Sequence, residues 1–212
     1  MTCVASPPTD EWAPLRDDPL MRKRLLVVDD HPAVRAGLRE LLADETDFEV
    51  VAAVDSAEAA MEVAMQERID VAVVDYQLSG RNGLWLSRKL KRLPDPPAVL
   101  IYSAYTDGIL AAAAVVAQAD AIVSKGRVGS DLCHEVRSAA AGQRHLPALP
   151  PRLAESLRRR LGNDEQAIFG MLLAGLEPAE VAATLGLSTF ALEAQLCQLL
   201  RRLEGLPPAP RT

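Results

Sequence analysis

From residue 24 onward, short apolar runs alternate with stretches whose apolar residues recur every three to four positions. Runs at 25–28, 49–54, 71–74, 99–102 and 121–124 are short and rich in β-branched residues, so they read as strands. The stretches at 33–43, 57–68, 84–93, 108–118 and 130–140 carry helical periodicity. Five strands alternating with five helices predict a parallel, doubly wound sheet covered on both faces, an α/β fold. Near-continuous apolar strands agree, because both faces of such a sheet are buried.

After residue 142 the pattern changes. Residues 146–160 form a proline-containing linker that runs into a short basic amphipathic helix. Only helical periods follow, at 164–174, 178–185 and 189–203. Gly175 and Gly186 mark the breaks, Pro178 is placed to open the second of these helices, and Ser188 to cap the third. Two helices joined by a glycine-containing turn predict a helix-turn-helix in a small all-α domain over 161–204. Residues 1–21 lack apolar period and read as a disordered leader, with Met21 an alternative start; 205–212 read as a proline-rich tail.

Composition narrows the class. The chain has 212 residues, 49% of them hydrophobic and 25% charged, as in ordinary globular domains. No apolar run is long enough to span a bilayer, and no signal peptide is evident, so no membrane partner is expected. Cys3, Cys133 and Cys197 are widely spaced and odd in number, which fits a reducing cytoplasm. A net charge of −6 argues against non-specific coating of nucleic acid.

The candidate chemistry lies where the strands end. Asp29 and Asp30 follow the first strand, Asp75 the third, Ser103 the fourth and Lys125 the fifth. Ligands of open parallel sheets bind beyond the carboxyl ends of the strands. Adjacent carboxylates repel unless a cation or hydrogen bonds relieve them. Three carboxylates beside one lysine describe a site for a hard cation such as Mg²⁺, which also neutralises an incoming phosphoryl group. A carboxylate can itself accept that group as an aspartyl phosphate, and Asp75, standing alone opposite the acidic pair, is the best candidate. His31 adjoins the site as a helix-start residue.

The stretches "LLVVDDHPAVRAGL", "DVAVVDYQLSGRNGLWL", "VLIYSAY" and "SK" resemble the receiver domain of two-component response regulators of the NarL/FixJ type over residues 22–145. The resemblance implies a flavodoxin-like receiver sheet with Asp75 as phosphoacceptor. It implies Mg²⁺ on Asp30, Asp75 and the Gln77 backbone carbonyl with Asp29 behind them, and Ser103 and Lys125 sensing the phosphoryl group. It implies a sensor histidine kinase as partner and a homodimer through the face of the fourth helix, fifth strand and fifth helix. The chain departs from the family pattern at Ile122, where a switch aromatic is usual. It departs again at Gln118-Ala119-Asp120-Ala121, where a small-residue turn is usual, and at Ser79, where proline is frequent.

Residues 161–203 resemble the LuxR-type helix-turn-helix, through "AGL", "EVAATLGLS" and "LLRRL". This implies transcription regulation through promoter DNA. The outward face of the last helix is expected to show Phe190, Glu193, Ala194, Cys197 and Arg201, with Ser188 and Thr189 at its start, as contacts for DNA or a partner. That face is poor in base-reading donors, and residues 152–212 balance seven arginines against seven acids. Pro207-Pro208 also leave no room for the fourth helix usual in such domains. A signalling adaptor that docks a protein therefore remains the alternative. An aspartyl-nucleophile phosphohydrolase is the least supported, because "DYQ" lacks the second acid of a DxD motif. Self-phosphorylation rather than turnover catalysis is expected.

Overall fold

The apolar runs form the five strands β1 (Lys23–Val28), β2 (Phe48–Val54), β3 (Val71–Asp75), β4 (Ala98–Ser103) and β5 (Ala121–Ser124) of one sheet. The computed structural model describes residues 22–126 and 129–205. The expected leader, nearly all of the proline-rich tail and the expected lack of a fourth helix at Pro207-Pro208 lie outside these residues. The sheet is parallel throughout, in the order β2-β1-β3-β4-β5. The helices between strands are α1 (Pro32–Ala43), α2 (Ala57–Gln66), α3 (Gly83–Leu90), α4 (Gly108–Val116) and α5 (Gly129–Ala140).

Alternate residues of each strand feed two cores. Leu26, Val28, Ala72, Val74, Val99 and Ile101 join the side chains of α2, α3 and α4. Leu25, Val27, Val71, Val73, Leu100 and Val123 pack with those of α1 and α5. Each fully buried Val or Leu contributes about 1.5–3 kcal/mol, so the continuous apolar strands are what hold the sheet between its two helix layers.

Helix starts follow local chemistry. Ser56, Asn82 and Asp107 cap α2, α3 and α4 by accepting backbone N–H bonds from Ala59, Trp85 and Leu110. These three helices stop short of the periodicity, α2 among them at Gln66. Helix α3 stops at Leu90 and α4 at Val116. The latter ends early because Gln118 adopts φ 59° to turn the chain into β5, a left-handed backbone costing about 1–2 kcal/mol for a side-chain-bearing residue. The departure from the small-residue turn thus has a physical cost, and Asp120 offsets it by accepting the Val99 N–H at 2.7 Å.

The remaining helices are α6 (Pro151–Arg158), α7 (Asn163–Leu173), α8 (Pro178–Leu185) and α9 (Thr189–Glu204). Gly186 ends α8 at φ 66° and Ser188 caps α9 through the Ala191 N–H at 3.1 Å, the turn the sequence predicts. Helix α4, "GILAAAAVV", has no polar face. A helix that is apolar all round is buried all round, and here α7 and α9 cover its outer side. Leu157, Ile168, Phe169, Leu192, Leu196 and Leu200 continue the α2–α4 core without a break.

Polar ties frame this seam. The guanidinium of Arg88 on α3 pairs with Glu193 on α9. Asn82 Nδ2 donates to Glu204 Oε1 at 2.6 Å, and Arg144 Nη1 meets Glu177 Oε1 at 2.7 Å. The expected outward face of α9 is corrected accordingly. Glu193 and Cys197 turn toward α3, whereas Phe190, 83% exposed, and Ala194 face solvent.

Candidate functional site

The site is built from strand ends held at fixed heights by the parallel register. Asp75 is the last residue of β3, beside Tyr102 of β4. Ser103 closes β4, and Lys125 follows β5, with its N–H bonded to the Ser103 carbonyl at 2.8 Å. Lys125 Nζ bridges Asp29 Oδ2 and Asp75 Oδ2, both at 2.8 Å, across the crevice. Lys125 thus brings Asp29 and Asp75 together, and Ser103 is tied to it through its backbone carbonyl while its Oγ is engaged locally by the Tyr105 N–H at 3.1 Å.

The acidic pair divides its work. Asp29 is fully buried, with Oδ1 accepting the His31 N–H at 2.8 Å and Oδ2 taken by Lys125. Asp30 is more open. Its Oδ2 accepts from Ser79 N–H at 3.0 Å and Ser79 Oγ at 2.6 Å. Its Oδ1 is buried without an aligned hydrogen-bond donor and lies 2.8 Å from His31 Nδ1. A carboxylate oxygen left in that state is what a cation would complete. Single ligand atoms of Asp29, Asp30, His31 and Asp75 lie within 4.8 Å of one another. This donor set, oxygen-rich and free of thiolate, fits Mg²⁺.

Titration tendencies follow from these contacts. Burial pushes the Asp75 carboxyl above its ordinary range and Asp29 adds to this, while Lys125 opposes it. Burial works against charge on Lys125, but its bonds to Asp29 and Asp75 outweigh it and raise its pKa. The Ser79 hydroxyl leads the causes that lower Asp30, with burial opposing and His31 assisting.

The loop after Asp75 is locked from below. Gly83 N–H bonds the Tyr76 carbonyl at 3.0 Å, and a Cβ on Gly83 would collide with the Asp75 carbonyl oxygen. Gln77 returns its N–H to Asp75 Oδ1 at 3.2 Å and is itself exposed. Ile122, at the switch position, is half-buried in β5 and packs into the core shared with α4 and α9.

Among the residues expected to make output contacts, Thr189, Phe190, Ala194 and Arg201 are exposed, and Ser188 serves as the α9 cap. The roles of two residues escaped the sequence reading. Ser79 clamps Asp30, and nothing in its pattern signals this. Arg88 does carry a signal: it lies four residues after Leu84, on the apolar stripe of α3.

A carboxylate trio facing a lysine at the ends of a 2-1-3-4-5 parallel sheet defines a phosphoryl-receiving signalling domain. Residues 25–137 match the response regulator receiver domain, and the chain belongs to that family as a two-component response regulator of the NarL/FixJ type. It is 31% identical over 191 residues to the DNA-binding transcriptional activator DevR/DosR of Mycobacterium tuberculosis, covering 85% of this chain and 88% of that one. It is 29% identical over 174 residues to the response regulator UvrY of Escherichia coli, covering 77% and 80%. A LuxR-family response regulator from an Aurantimonas species superposes with a TM-score of 0.56 at 28% identity, over 63% of this chain and 94% of that one. Members of this family are phosphoryl-accepting signalling proteins and have histidine kinases as partners. No helix among the described residues is long and apolar enough to cross a membrane.

Proposed function

We propose that Asp75 accepts a phosphoryl group from a sensor histidine kinase and that this controls transcription through promoter DNA bound by the helix-turn-helix. The observation that carries the site assignment is the Lys125 ammonium shared by Asp29 and Asp75, next to an Asp30 oxygen with no aligned donor. Asp30, Asp75 and the Gln77 carbonyl would hold Mg²⁺, with Asp29 behind. When bound, the ion supplies charge neutralisation for the incoming phosphoryl group. An oxygen of the Asp75 carboxylate attacks phosphorus of the phosphohistidine. The O–P bond forms as the P–N bond breaks, and its electron pair stays on the imidazole nitrogen, which takes a proton from solvent. Lys125 then exchanges its bond to Asp75 for the phosphoryl oxygens, and Ser103 Oγ turns from the Tyr105 N–H toward them.

The division into a receiver over 22–145, a linker over 146–160 and a helix-turn-helix over 161–204 is part of this reading, as is a cytoplasmic location. In the docked arrangement the Glu193 and Cys197 side of α9 lies against α3, so DNA contact through that side requires its release. A homodimer through α4, β5 and α5 requires the same release, because α7 and α9 occupy the outer side of α4. DNA binding draws support from the helix-turn-helix and from the relative DevR/DosR. A pull-down of fragmented host DNA at about 150 mM salt tests it, with and without Mg²⁺ and beryllofluoride. The expected result is salt-sensitive, selective retention that increases on loading; no retention by the loaded protein overturns the DNA reading.

A further inference from the structure

The seam between α3 and α9 holds a cavity of about 300 Å³, the lower end of the size range of small-molecule sites. Five cations line it, Arg81, Arg88, Lys89, Arg92 and Arg201, against two carboxylates, Glu193 and Glu204. This concentration of positive charge stands out in a chain of net charge −6. The carboxylates do not balance it. Glu193 is committed to Arg88 and lies 3.8 Å from Arg92. Glu204 accepts from Asn82, and burial favours its neutral form. Arg81, Lys89 and Arg201 have no carboxylate partner among the described residues.

The wall offers more than charge. The Arg81 guanidinium sits 4.9 Å and the Lys89 ammonium 5.5 Å from the centroid of the Trp85 ring, which also lines the cavity. Arg88 is 2% exposed. Glu193 and Gln118 engage its terminal nitrogens, and its Nε has no hydrogen-bond acceptor. A buried guanidinium with an unused donor is costly unless an acceptor completes its surroundings.

We propose that this cavity binds a small anion carrying a planar ring, of mononucleotide size. The ring lies on Trp85 in place of the Arg81 guanidinium, and the phosphate draws Lys89 to itself together with Arg92 and Arg201. Several guanidinium groups around one cavity favour phosphate, which they meet in paired hydrogen bonds. Because α3 and α9 both contribute, the ligand binds the docked arrangement and opposes release of α9. None of these residues belongs to the Asp75 pocket, so the two sites are tested separately.

The chain has two tryptophans, Trp12 and Trp85, so Trp12→Phe leaves Trp85 as the only indole. Adenosine 5′-monophosphate titrated into this full-length protein is expected to quench Trp85 fluorescence saturably. Adenosine, which lacks the anion, and inorganic phosphate, which lacks the ring, are each expected to bind about tenfold more weakly or worse. Replacing the half-buried Lys89 and the exposed Arg201, Lys89→Ala with Arg201→Ala, is expected to weaken the nucleotide by a similar factor while circular dichroism shows the fold retained. Asp75→Asn is expected to leave the titration unaltered. Three outcomes overturn the proposal: no saturable quenching at millimolar nucleotide, phosphate alone binding as well as the nucleotide, or an unchanged curve in the double variant.

Discussion

Ser79 shows how one side chain sets the state of a site. With a proline at this position, Asp30 Oδ2 would lose both of its donors from residue 79, because proline has neither a hydroxyl nor an N–H. The serine provides both, at 2.6 and 3.0 Å. It thereby holds the carboxylate that the cation would use and competes with it. Ser79→Ala removes the hydroxyl and frees a lone pair. Calorimetric titration with Mg²⁺ should show affinity rising about tenfold or more, because one hydrogen bond to a charged group is worth about 1.5–3 kcal/mol. An unchanged or weaker affinity would show that the hydroxyl does not compete. The acidic pair and Lys125 were legible from the sequence because strand ends in this topology share one edge. Ser79 was not, since it reaches Asp30 across 49 residues through a loop whose path no periodicity encodes.

At the scale of elements, the five strands were read from their apolar runs, and only their ends moved by a residue or two. The helix α4 was read too, but not what its all-apolar composition means. A helix with no polar position announces a cover on its outer side as well as its inner one, and α9 supplies much of that cover. Its partner at the other edge of the seam is Glu204, the final residue of α9. Burial raises its pKa and the Asn82 bond only partly offsets this. A carboxyl whose folded pKa lies above its unfolded value costs stability when ionised. The cost is absent below the unfolded carboxylate pKa and full above the folded one. Glu204→Gln keeps an acceptor for Asn82 and removes that cost. The variant should melt higher than the parent at neutral pH, with the gap closing under acid. A gap that persists in acid, or a lower melting temperature at neutral pH, would contradict this.

At the scale of the molecule, the receiver and the helical bundle share one hydrophobic core. The loop after the phosphoacceptor is also tied to α9. Asn82 bonds Glu204, whose carboxylate, after burial itself, helps raise the Tyr76 phenol. A phosphoryl group on Asp75 would therefore have a route to α9 through the β3–α3 loop, one that does not need an aromatic at Ile122. The apolar α4 announces that something covers it but not what, because Arg88 and Glu193 are 105 residues apart and neither periodicity predicts their meeting. Glu193→Lys places an ammonium against Arg88 and Arg92. Losing a buried pair costs about 3–5 kcal/mol, which should release α9. Small-angle scattering should report a larger radius of gyration, and DNA retention should appear without the phosphoryl mimic. A scattering profile and retention identical to the parent would count against docking as the restraint.

Every step of the proposed signalling begins with Asp75 as the phosphoacceptor. Intact-mass spectrometry after incubation with a small phosphodonor tests that directly, with Mg²⁺ present or chelated. The parent should gain one phosphoryl group only when Mg²⁺ is present, and Asp75→Asn should gain none. Undiminished labelling of Asp75→Asn would contradict the site.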